Sequence, residues 1–81
     1  MVETASVPVV VYSTPLCGPC EELKSYLRSR GVQFRVRDVL IEEEAAEELE
    51  RRDIWSTPAL SVGDRFIEGS DRARVDALLG L

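Results

Sequence analysis

The sequence predicts an α/β fold: a four-stranded mixed sheet flanked by helices, in the order β-α-β-α-β-β-α. Three observations predict it. Apolar spacing switches between the strand period of two and the helix period of 3.6 along the chain. A helical pattern separates the first two strand patterns, which calls for parallel pairing through a right-handed crossover. A Gly-Asp pair between the last two strand patterns fits a tight antiparallel hairpin. At 81 residues, this is one domain over residues 1–81.

Val7 to Tyr12 (VPVVVY) is short, apolar and β-branched, as suits a strand buried on both faces. Ser13-Thr14-Pro15 breaks it. Gly18 to Arg30 reads as a helix with Leu23, Tyr26 and Leu27 as its inward stripe and Gly31 closing it. Val32 to Val39 alternates, with Val32, Phe34 and Val36 on one side and Gln33, Arg35 and Arg37 on a wetter one. Glu42 to Arg52 is a second helix, acidic at its start and basic at its end as the helix dipole favours. The glutamate run reads as a solvated helix end. Pro58 to Val62 and Arg65 to Glu68 form the hairpin around Gly63-Asp64. Gly69 breaks it, and Ser70 or Asp71 caps a last helix to Leu79.

Composition excludes several functions. Net charge is -5, from 15 acidic and 10 basic residues, which argues against nucleic acid and anionic membrane surfaces. No apolar run approaches the roughly 20 residues that cross a bilayer. Met1 to Val7 lacks the charged and apolar regions of a secretory leader. The expected setting is the cytoplasm, where thiols stay reduced. There is no His, which removes Ser-His and Cys-His nucleophile pairs and a common metal ligand. No metal site is expected.

Cys17-Gly18-Pro19-Cys20 carries the chemistry. It lies just past the first strand and opens the first helix, the setting of a dithiol redox motif. The opening turn has unpaired N–H groups and partial positive charge. Both favour a thiolate at Cys17, below the ordinary thiol value of about 8.5. A more acidic thiol supplies more nucleophile and leaves more readily when Cys20 attacks it. Cys20 lies nearly one turn on, within bonding reach and further in. Pro19 fits a first-turn position, where no N–H is needed, and Gly18 leaves room for a substrate backbone. A structural disulfide closing so short a loop restrains the unfolded chain little. A zinc site needs ligands that one such chain lacks.

Over nearly its whole length the chain resembles the glutaredoxin family of the thioredoxin superfamily. The resemblance rests on YSTPLCGPC (Tyr12 to Cys20), Ser56-Thr57-Pro58, Glu68-Gly69-Ser70-Asp71 and the element order. It implies a thioredoxin-like fold of the glutaredoxin type, with Cys17 and Cys20 catalytic in an active-site loop that includes Thr14, Pro15, Gly18 and Pro19. It implies a cis Pro58 facing the cysteines and a Thr57 whose backbone pairs with substrate. Gly69, Ser70 and Asp71 match positions that hold the γ-glutamyl end of glutathione, although Ser70 and Asp71 also suit a helix cap. Trp55 either covers the core edge or lines the substrate groove, and Tyr12 packs in the strand.

Three departures bear on the electron donor. Gly18-Pro19 resembles thioredoxins, where many glutaredoxins carry Pro-Tyr. Thr14 stands where glutathione-using members often carry Lys. The family's Gly-Gly-x-Asp-Asp is Glu68-Gly69-Ser70-Asp71-Arg72 here. Lost positive charge and added negative charge weaken binding of an anionic tripeptide. The expectation is a monomeric redoxin that binds no cofactor, cycles a Cys17–Cys20 disulfide, reduces protein disulfides, and is re-reduced by a thioredoxin-reductase-type partner. Glutathione is the alternative donor. An iron–sulfur cluster carrier is disfavoured by the intact Cys20 and by Pro19.

Overall fold

The computed structural model describes residues 7–81; the reading of Met1 to Val7 as no leader lies, Val7 apart, outside them. The elements are β1 (Val9–Ser13), α1 (Gly18–Ser29), β2 (Arg35–Asp38), α2 (Glu43–Glu50), β3 (Ala59–Val62), β4 (Arg65–Glu68) and α3 (Arg72–Leu79). They form one four-stranded mixed sheet in the order β2-β1-β3-β4. β1 runs parallel to β2 and antiparallel to β3, and β3 and β4 form the expected hairpin. Gly63 turns it with a φ of +63°, which a first-position glycine takes without steric cost. No helix among the described residues is long and apolar enough to cross a membrane.

The alternation along β1 splits the core into two layers. Val11 points to one face, where it packs with Leu23 and Leu27 of α1, Leu60 of β3 and Val75 of α3. Tyr12 points to the other, with Ala45 and Leu49 of α2, Ile54 and Ala59. Burying each valine, leucine or isoleucine of these layers contributes roughly 1.5–3 kcal/mol. α1 ends as its glycine requires: Gly31 sits at φ +73° and Val32 N–H bonds the Leu27 carbonyl at 3.0 Å.

Four expectations are corrected. β1 starts at Val9 rather than Val7, because Pro8 has no N–H for a ladder, and it continues through Ser13. Its first two valines are only half-buried. β2 is four residues long, and Val36 is 45% exposed rather than turned into the core. The reason is position: β2 is an edge strand, and α1 and α3 lie over β1, β3 and β4. Arg37 is not on a wet face. Its Nε donates to Glu42 at 3.0 Å and its Nη1 to Glu48 at 3.1 Å. Glu42 therefore leaves the solvated glutamate run; it precedes α2 but makes no side-chain cap bond there.

This arginine belongs to a strut under β1. The Tyr12 hydroxyl donates to Glu48 Oε1 at 2.6 Å, and the Arg37 guanidinium lies 5.9 Å from the Tyr12 ring centre. Burial, then the Glu48 carboxylate, push the Tyr12 phenol up. The Tyr12 hydroxyl, aided by Arg37, holds Glu48 below the usual carboxylate range. Tyr12 is thus a packing residue whose polar end is satisfied. Tyr26 has the same role between helices: it is half-buried and bonds Asp76 of α3.

Candidate active site

β1 delivers the chain to a short loop, Thr14 to Cys17, at its C-terminal end. Cys17 is the N-cap of α1, with extended φ and ψ of -109° and 103°. Its sulfur accepts the Cys20 N–H at 3.1 Å. Sulfur thus takes the place usually held by a Ser or Asp cap oxygen, at the positive end of a twelve-residue helix. Pro19 contributes no N–H, so the donor at Cys20 points at the sulfur without competition from its neighbour. Glu21, the acidic residue of this first turn, is paired with Lys24.

Cys17 and Cys20 are joined as a disulfide, with Cα atoms 5.2 Å apart. Their exposures differ. Cys17 is half-buried, whereas Cys20 is 0% exposed. Of the two sulfur-bearing residues, only Cys17 is open to solvent. Gly18 and Pro19 are exposed beside them, and a Cβ built on Gly18 would meet nothing within 4 Å. The surface at Gly18, next to Cys17, is open.

The second loop of the site runs from Ile54 to Pro58. The Thr57–Pro58 peptide is cis, as the family resemblance implies. Thr57 is half-buried, Pro58 buried, and the Pro58 carbonyl accepts the Gly69 N–H at 2.7 Å. Thr14 Oγ1 and Thr57 Oγ1 are hydrogen-bonded at 3.0 Å, which ties the cysteine loop to the cis-proline loop. Pro15 is exposed between Thr14 and the cysteines.

Thr14 and Thr57 open onto a groove of about 300 Å³ shared with Val39, Leu40, Trp55 and Glu50. Trp55 is therefore a groove residue. It is 70% exposed, and its indole N–H donates to Asp53 at 2.6 Å. Among the described residues, none that lines this groove is cationic. Glu68 adds negative charge at the rim through its bond with Ser56, itself a lining residue.

Asp71, not Ser70, caps α3: its carboxylate accepts N–H bonds from Ala73 at 2.9 Å and Arg74 at 3.4 Å. Gly69 and Ser70 are half-buried beside it. None of these three lines the Thr14–Thr57 groove.

One residue of the site escapes a reading by motif. Leu16, directly before Cys17, has a φ of +57° and a fully exposed side chain. The left-handed region costs an L-residue roughly 1–2 kcal/mol. The available signal was an apolar residue in a loop, next to Cys17, with no periodic partner.

The comparisons with known proteins agree with this geometry. The Glutaredoxin family profile matches residues 9–67. An uncharacterized glutaredoxin-like 8.6 kDa protein in the rubredoxin operon of Clostridium pasteurianum is 30% identical over 74 residues, spanning 88% of this chain and 96% of that one. The crystal structure of the glutaredoxin from Methanosarcina mazei superposes with a TM-score of 0.82 at 29% identity, over 93% of this chain and 80% of that one. The glutaredoxin-like NrdH-redoxin of Escherichia coli gives 0.80 at 25% identity, over 88% and 93%. With an N-capping cysteine, a buried partner one turn on and a cis-proline loop tied to them, the chain belongs to the glutaredoxin family and is a thiol–disulfide redox protein.

Proposed function

We propose that this protein reduces disulfides of other proteins and is itself re-reduced by a thioredoxin-reductase-type partner rather than by glutathione. The Cys17 thiolate attacks a substrate disulfide, forming a mixed disulfide and releasing one substrate thiolate, which takes up a proton. Cys20 gives up its proton and attacks the Cys17 sulfur, expelling the second substrate thiolate. Two electrons pass to the substrate, and the Cys17–Cys20 disulfide remains for the reductase to reduce.

The observation that carries the choice of donor is the charge of the groove. Glutathione brings two carboxylates and one ammonium. Among the described residues, the Thr14–Thr57 groove has no cation in its lining and has Glu50 and Glu68 at its wall and rim. Thr14, which stands at the position of the family's lysine, already has its hydroxyl engaged with Thr57. The Asp71 carboxylate is taken up by the α3 cap. An extended protein segment that pairs with backbone groups of Thr57 needs no such cation. The Escherichia coli NrdH-redoxin, similar in fold, is described as having a thioredoxin-like activity profile, which favours the same reading. The cytoplasmic setting belongs to this proposal, because the cycle needs a reducing compartment.

A coupled assay tests it. The oxidised protein is given NADPH with thioredoxin reductase alone, and separately with glutathione and glutathione reductase. NADPH consumption is expected in the first arm at a rate at least about tenfold above the second, a barrier difference of about 1.4 kcal/mol. Faster turnover in the glutathione arm overturns the choice of donor.

A further inference from the structure

We infer that Leu16 is a specificity-determining residue, packing against an apolar side chain next to the partner protein's disulfide while Cys17 is joined to it. The inference rests on the reading of the protein as a reductase of protein disulfides. Leu16 is suited neither to its backbone nor to the core. Its φ of +57° lies where glycine or asparagine is accommodated with less steric conflict. Its side chain is fully exposed and belongs to neither core layer. A bulky apolar residue held in a left-handed turn, out of the fold and beside the reacting sulfur, contributes nothing to burial within this chain. What it offers is contact surface at the place where a substrate chain must arrive.

The neighbourhood says what kind of chain. Two residues before Leu16, Thr14 opens the groove that also contains Leu40 and Trp55, which are 72% and 70% exposed. The Asp53 bond holds the indole in place, so little side-chain freedom is lost on contact. Among the described residues the groove has no cationic lining residue, it carries Glu50, and the whole chain has a net charge of -5. Apolar surface with acidic edges complements an extended segment whose cysteine is flanked by an apolar residue and whose other neighbours are neutral or basic. An acidic segment is repelled.

The experiment uses the whole reduced protein and its Leu16→Asn variant. Asparagine tolerates the left-handed turn, so the variant is expected to melt no lower than the parent. Three probes are compared by rapid mixing: two disulfide-linked basic peptides that differ only in Leu or Ser next to the cysteine, and bis(2-hydroxyethyl) disulfide. The parent is expected to prefer the Leu peptide by about five- to tenfold, equivalent to about 1–1.4 kcal/mol. Leu16→Asn is expected to abolish that preference while changing the rate with the small disulfide by less than about twofold. Survival of the preference in the variant overturns the inference. So does an equal fall with all three probes, which assigns Leu16 to shaping Cys17 itself. Conversion of a dimer to a monomer by the substitution, seen in sedimentation, overturns it in favour of a second copy as the occupant. A parent that reduces the small disulfide but neither peptide overturns instead the reading of protein disulfides as substrate.

Discussion

Cys17→Ser is expected to abolish disulfide reduction while leaving the fold intact. The hydroxyl that replaces the thiol remains protonated near neutrality and is a poor nucleophile toward sulfur. The loss is expected to be at least about a thousandfold, or about 4 kcal/mol in the barrier. Stability is spared for a reason specific to this site. Cys17 is the N-cap of α1 and accepts the Cys20 N–H. Serine is among the preferred residues there, and its oxygen can accept the same bond. Reduced parent and variant are therefore expected to show matching circular dichroism and thermal transitions, with only the parent turning over a peptide disulfide. Residual turnover within about tenfold of the parent contradicts the assignment of Cys17 as nucleophile.

Cys20→Ser is expected to separate the two halves of the cycle. Cys17 can still attack, so one substrate thiol is released per protein. The second displacement lacks its nucleophile, and the mixed disulfide accumulates. Intact-mass spectrometry after one equivalent of a peptide disulfide is expected to find protein plus one peptide, attached at Cys17. Cys20 is 0% exposed, so a hydroxyl placed there without a partner costs about 1–3 kcal/mol. Cys20→Ala avoids that buried oxygen and is expected to trap the same adduct. If neither variant traps it, or if the peptide is found elsewhere, the resolving role is wrong.

Much of this site was legible because a few residue types carry strong local physics. A cysteine pair one turn apart after a buried strand points to a helix N-terminus, and Cys17 is found as its cap. The Gly63 turn and the Gly31 helix end follow from backbone freedom that other residues lack. What was hidden depends on the whole fold. Val36 pairs with Val11 across the sheet, yet one is 45% and the other 0% exposed, because helices cover β1 and leave the edge bare. Glu42 belongs by composition to a solvated run, and only the approach of Arg37 draws it out. Ser70 and Asp71 are equivalent as cap candidates until the chain direction places Asp71 at the start of α3. Leu16 was hidden most deeply, since a leucine gives no hint of a positive φ.

Titration of the Cys17 thiol in the reduced protein tests the central claim most directly. Thiolate absorbance and the pH dependence of alkylation, with peptide mapping to assign the site, both report it. An N-capping sulfur that accepts a helix N–H is expected to ionise below an ordinary thiol and to be alkylated before Cys20. An inflection at about 8.5, or alkylation of Cys20 first, contradicts the account.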